Sequence, residues 1–202
     1  RWCSSIALAT ILLFTLPPPP AHAQDDATSG PAARRTVTAV RLTADERVTL
    51  DGRLDEPFWA NALPATDFIQ QDPRNGEPAT EPTEVRIVYT ADALYFGVIC
   101  FDSEPDRWIG YQRRRDEFLR SDDRFMWSID TYLNGRTAYF FEMNPSGLMG
   151  DALRGIGINN HQWNGIWTGL ATRDARGWIL EVEIPFRTLN FDPDSDAWGV
   201  NF

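Results

Sequence analysis

The chain has 202 residues and a formal net charge of −10, long enough for one buried core. All 19 basic residues are Arg, scattered apart from Arg113-Arg114-Arg115, so no basic stripe can neutralise a phosphate backbone and nucleic acid is not an expected partner. Eight Trp and twelve Phe exceed ordinary usage, and such aromatics either fill β cores or form stacking platforms.

Residues 1–23 read as an export signal. Arg1 leads, an apolar run follows from Ile6 to Leu16, and Ala21-His22-Ala23 forms a small-x-small cleavage site. The apolar run is too short to span a bilayer. Cleavage would remove Cys3, which stands too early for lipidation, and leave Cys100 without an internal disulfide partner. Residues 24–35 are small, polar and Pro/Gly-bearing, as a flexible leader would be, and the folded unit is expected over 36–202. The chain starts without Met and stops at Phe202 inside an expected strand, so it reads as part of a longer protein.

From Thr36 the text is short runs rich in Val, Ile, Tyr, Phe and Trp, punctuated by Asp-Gly, Asn-Gly, Pro-Ser-Gly and Asp-Ala-Arg-Gly. Strands are expected at 37–42, 47–50, 83–89, 94–102, 125–132, 136–144, 166–172, 178–184 and 198–202. The one helical element is a turn or two over 56–63, with Asp55 as N-cap and Pro57 in the first turn. Leu94 to Phe101 is apolar on both faces and belongs at a sheet centre, with Cys100 buried and inert. In 178–184, Trp178, Leu180, Val182 and Ile184 alternate with Ile179, Glu181 and Glu183, which predicts one wet face.

Alternation also selects a register for the Asn134-Gly135 hairpin. A three-residue loop, Leu133-Asn134-Gly135 with Gly135 left-handed, pairs Trp127 with Phe141, Ile129 with Tyr139 and Phe125 with Met143, giving one wholly apolar face. The other face then carries Met126 opposite Glu142, beside Ser128, Asp130, Phe140 and Tyr132. A ligand of this hairpin would bind there.

Taken in order, LDGRLDEPFWANA, TEVRIVYTADALYFGVICFDSEPD, SDDRFMWSIDTY, YFFEMNPSG and GWILEVEIPFRTL…WGVNF resemble the family 9 carbohydrate-binding module over about residues 36–202. The resemblance implies an all-β, jelly-roll-like antiparallel sandwich that grips glycans without catalysing anything. FFEMNPSG, WNGIW and GWILEVEIPF look most like a subgroup of exported envelope proteins in which such a module precedes a membrane β-barrel. Sugar-binding members sandwich the ligand between two Trp, with Glu and Arg on its hydroxyls. On the alignment the first Trp falls at Phe118-Leu119-Arg120, the Glu at Met126 and the Arg at Glu142, so that site is not carried over.

The first candidate platform is therefore Trp163 and Trp167, in a Gly- and Asn-rich stretch where Asn160 and His161 offer hydrogen bonds to hydroxyls. Trp108, with Tyr111 and Phe118 in an Arg-rich loop, is the second, and Glu142 is retained as a polar contact. Against these stands the plainer reading that Trp167 begins an inward-pointing strand and Trp163 covers a sheet edge. Trp59, after Asp51-Gly52 and Asp55, reads as a core plug. No cofactor is required. Asp102, Glu104, Asp122 and Asp123 have the alternating oxygens that calcium favours, as does Asp192-x-Asp194-x-Asp196, but none completes an EF-hand and solvated turn carboxylates are preferred.

Catalysis lacks its parts. There is no Gly-x-Ser-x-Gly, His-Glu-x-x-His or phosphate loop, and once His22 is removed His161 is the only His. Glu181 and Glu183 lie side by side on one strand rather than across a cleft. The expectation is an exported, non-catalytic module that binds oligosaccharide or polysaccharide, at the periplasm, outer membrane or cell exterior. Its alternatives are an interaction domain packing on a C-terminal barrel in the same chain, and a targeting arm for a downstream hydrolase.

Overall fold

The computed structural model describes residues 35–117 and 119–202. The signal segment 1–23 with Cys3 and His22, nearly all of the leader, and Phe118 lie outside the described residues. Thr36–Phe202 forms one unit of two five-stranded sheets.

The first sheet has the order β1 (Val40–Arg41), β2 (Thr83–Tyr89), β3 (Ala93–Phe101), β9 (Gly177–Pro185), β8 (Thr168–Asp174). All its pairings are antiparallel except β1 with β2. The second is wholly antiparallel, in the order β10 (Gly199–Asn201), β4 (Phe125–Asp130), β5 (Thr137–Met143), β6 (Met149–Gly155), β7 (Ile158–Asn160). The doubly apolar β3 lies between β2 and β9, as its sequence requires. The β4–β5 register is the one that alternation selects: Phe125 faces Met143, Trp127 faces Phe141 and Ile129 faces Tyr139.

Between the sheets, Val85, Ile87, Phe96, Val98, Leu180 and Val182 meet Trp127, Ile129, Phe141 and Met143 in the main core. A second, smaller core lies on the far side of the first sheet. Here Phe58 and Trp59 of the short helix α1 (Pro57–Asn61), with Leu42 and Ala62, pack on Val88. Gly97 makes the approach possible, because a Cβ there would stand 2.9 Å from the Trp59 ring and 2.8 Å from Leu54. Trp59, 2% exposed, is a plug.

Several expectations are corrected. Residues 47–50 form no strand, and 37–42 shrinks to Val40–Arg41. The cap of α1 is Glu56, not Asp55, and no side chain caps it; the Glu56 carboxylate instead accepts from the Thr49 backbone N–H at 3.1 Å. Strands β6 and β7 were not anticipated, since MGDALRG and INN carry little β propensity. Strand β8 starts at Thr168 rather than 166. Most consequentially, β9 has no wet face at Glu181: residues 48–62 roof it, and Glu181 is fully buried.

Candidate functional site

Strand β7 and the segment that leads to β8 carry the first candidate platform. Asn160 ends β7 and accepts from the Gln162 backbone N–H at 3.0 Å, and His161 follows it on the exposed loop. Trp167 turns inward and is 6% exposed. Its ring packs edge-on against Trp127 and Phe141, and its indole N–H donates to Asp151 at 2.7 Å. Trp163 lies half-buried against Tyr139 at 5.1 Å and Phe141 at 6.0 Å. The two Trp thus close the open side of the sandwich between its sheets, and Trp167 has no face to offer a ligand.

What holds this closure is a residue that sequence reasoning passed over. Asp151 is on the inner face of β6, opposite Phe141, and is 4% exposed. It accepts from Trp167, from the Gly165 backbone N–H at 3.3 Å and from Arg115, whose guanidinium also reaches Gly165 O at 3.2 Å. Burial raises its pKa, while the Trp167 and Arg115 contacts oppose the shift. Its only sequence signal is an acid in an otherwise weak strand.

The second candidate sits at one end of the sandwich. A 3₁₀ turn, Pro105–Arg107, delivers Trp108 beside the turn that joins β8 to β9. Pro105, Asp106, Trp108, Arg173, Asp174 and Ala175 line an open groove of about 400 Å³. The Arg173 guanidinium lies 4.0 Å over the Trp108 ring and donates to Pro145 O at 3.3 Å. Asp174 is fixed by two bonds from Arg176, at 2.9 and 2.7 Å, which hold its carboxyl below the usual range. Asp106 is exposed and has no hydrogen-bond or ionic partner among the described residues. Tyr111, three residues beyond Trp108, is 79% exposed. The groove therefore combines a half-buried indole with a planar cation and two carboxylates, a set that can pack a sugar's C–H edge and bond its hydroxyls. Arg173 and the turn at 174–175 stand more than sixty residues from Trp108, so no local pattern could have joined them.

The outer face of the second sheet is the third place. Met126, 38% exposed, stands opposite Glu142, which takes a 3.0 Å salt bridge from Arg124.

Four of the carboxylates considered for calcium, Asp102, Glu104, Asp122 and Asp123, bond to protein groups. Asp102 accepts from the Glu104 backbone N–H at 2.8 Å, and Glu104 binds Arg107 through both oxygens at 2.8 Å. Asp122 accepts from the Gln112 N–H and the Asn144 amide, both at 2.9 Å, and Asp123 from the Ile109 N–H at 2.6 Å. Among the described residues no group of three or more His, Cys, Asp or Glu could hold a metal ion. These side chains tie the long β3–β4 loop to the sandwich end. Cys100, with its thiol pushed up to about 12 by burial, has no thiolate to offer at neutral pH.

The two sheets form a largely antiparallel β-sandwich, and its fold is like that of family 9 carbohydrate-binding modules. Two solved structures carry the likeness. One is a family 9 module from Caldicellulosiruptor kristjanssonii in complex with glucose, with a TM-score of 0.56 and 13% identity over 81% of this chain and 75% of that one. The other is such a module from the same organism in complex with cellotriose, with a TM-score of 0.56 and 12% identity over 81% and 74%. At such identities the likeness establishes the fold. No family model matches the chain, and no curated protein does.

Proposed function

We propose that this chain is a non-catalytic glycan-binding module whose ligand seats in the Trp108 groove. The observation that carries the reading is the convergence there of Trp108, Arg173, Asp174 and the unpartnered Asp106 on one open concavity. Its support from outside is the shared fold with modules that hold glucose and cellotriose. Arg173 covers part of the indole, so the ring contributes an edge and hydrogen bonds contribute much of the grip. A few such contacts on an open surface suit affinities on the order of micromolar to millimolar. Export to the periplasm, outer membrane or exterior belongs to the same proposal and rests on residues 1–23, while service within a larger protein rests on the likeness of FFEMNPSG, WNGIW and GWILEVEIPF to exported envelope proteins.

The test is a titration with soluble oligosaccharides, cellotriose first, following Trp fluorescence, with and without calcium. Saturable quenching that is lost in Trp108→Ala while the circular dichroism spectrum is kept is the expected result. A folded chain silent to every sugar sinks the reading.

A second reading has its own observation. At the opposite end of the sandwich Tyr132, Leu133 and Ile156 are 50%, 51% and 79% exposed, and the Ile156 N–H donates to Arg136 O at 3.0 Å, which sets their two turns side by side. An apolar end of this kind suits packing on another body, such as a barrel in the same protein, with no sugar bound. Sugar silence with a preserved fold is the outcome that favours it.

A further inference from the structure

We propose that the outer face of the second sheet, around Arg154, Arg124 and Glu142, binds acidic saccharides through their carboxylates, as a subsite separate from the Trp108 groove. The inference rests on the glycan reading above and specifies a ligand class for a different surface.

Sheet register brings these residues together. Met126, Glu142 and Gly150 form one cross-strand row and Ser128, Phe140 and Ala152 the next, with Arg154 two residues beyond Ala152 on the same face. Arg124 reaches Glu142 at 3.0 Å, and these side chains are 30% and 14% exposed. The Arg154 guanidinium lies over Phe140, its Cζ 3.3 Å from the ring centroid, and Phe140 is 4% exposed. Arg154 has no hydrogen-bond or ion-pair partner among the described residues, although it feels both the Glu142 carboxylate and the Arg124 guanidinium.

Three features of this arrangement favour an anion. Arg154 and Arg124 flank one carboxylate, Glu142, which is bonded to Arg124 alone, and the other acid of this face, Asp130, is taken up by the Tyr132 and Gly135 N–H groups, so the donors of Arg154 are left for an anion. Arg154 is exposed but rests on a ring, so less entropy is lost when its fork meets a carboxylate. Finally, Phe140 is covered by the guanidinium and cannot stack a sugar ring, which leaves charge and hydrogen bonding as what this face offers. A uronate carboxylate takes two parallel N–H bonds from Arg154, while Glu142 accepts from neighbouring hydroxyls and Ser128 donates to or accepts from them.

The experiment is isothermal titration of the full chain with trigalacturonate and, separately, cellotriose, each at low and moderate salt. Trigalacturonate is expected to bind with an affinity that falls several-fold as salt rises, because an exposed ion pair is screened. Arg154→Gln is expected to weaken it roughly tenfold and Arg154→Lys by less, since Lys keeps the charge without the fork. Unchanged melting temperatures confirm that both variants are folded. Cellotriose binding without trigalacturonate binding overturns this inference and leaves the glycan reading standing. Binding of neither overturns both. Equal, Arg154-dependent binding of tricarballylate, a carboxylate without a sugar, also overturns it, as the face would then read charge alone.

Discussion

Glu181 is a carboxylic acid where an alternating strand calls for a solvent-facing one. Its Oε2 accepts from the backbone N–H groups of Asp51 and Gly52, both at 2.9 Å, while its Oε1 is buried without a partner. Burial pushes its pKa up to about 7 from 4.5, and the nearby Glu56 and Asp51 carboxylates push the same way while the two amide bonds resist. The neutral acid is thus the form the fold prefers. Since the folded pKa is the higher one, this stabilisation is complete below pH 4.5 and is lost as pH rises through about 7. The swing is roughly 3 kcal/mol at most by the free energy of a pKa unit. Thermal melts between pH 4.5 and 8 should show the chain weakening toward the alkaline end. Glu181→Gln, which mimics the neutral acid, should flatten that slope and melt higher at pH 8. An unchanged slope in the variant would place the cause elsewhere. None of this was legible in EVEIP. The alternation at Glu181 and Glu183 is the signature of a wet face, and the roof that dries it comes from residues about 130 positions earlier.

At the scale of elements, two hairpin turns separate what backbone conformation costs from what a clash costs. Gly135 closes β4–β5 at φ +64°, and a Cβ there would meet nothing within 4 Å. Asp130 accepts from its N–H at 2.6 Å, which helps fix the loop. Gly135→Ala should therefore cost only the left-handed penalty, about 1 kcal/mol. Gly177 opens β9 at φ +141°, where a Cβ would stand 2.1 Å from Cys100 O. The backbone of β3 cannot yield there without breaking its ladder to β9, so Gly177→Ala should cost well over the Gly135 change, roughly 3 kcal/mol or more. Denaturant midpoints of the two variants compare them directly, and equal losses would contradict this account. The first turn was readable in advance because period-two alternation decides which residues face each other across it. Strand β6 was not, because its residues carry little β propensity and Asp151, on its inner face, is placed by bonds to Trp167, Gly165 and Arg115, which lie 14 to 36 residues away. The same limit hid the candidate groove: Trp108 could be picked out as an aromatic in a loop, but Arg173 and Asp174 reach it only once β8 and β9 are folded.

For the whole molecule the question is whether two cores make one cooperative unit. They lie on opposite faces of the same sheet, and β2 and β3 serve both: Val85 and Ile87 point into the main core while Val88 points into the second, and Phe96 and Val98 flank Gly97, on which Trp59 rests. Removing the small core therefore strips cover from strands the large core needs. It also exposes Glu181, whose backbone donors lie in the same roofing segment as Trp59. Trp59→Ala should cost about 4 kcal/mol, the range for emptying a large aromatic site, and the chain should still unfold in a single transition. The check is to follow urea unfolding by far-ultraviolet circular dichroism and by Trp fluorescence in parent and variant. Coincident curves shifted to lower urea are expected. If the fluorescence of the parent instead changes well before its circular dichroism, residues 48–62 peel away as a separate unit, and the roof over Glu181 is a lid rather than part of the fold.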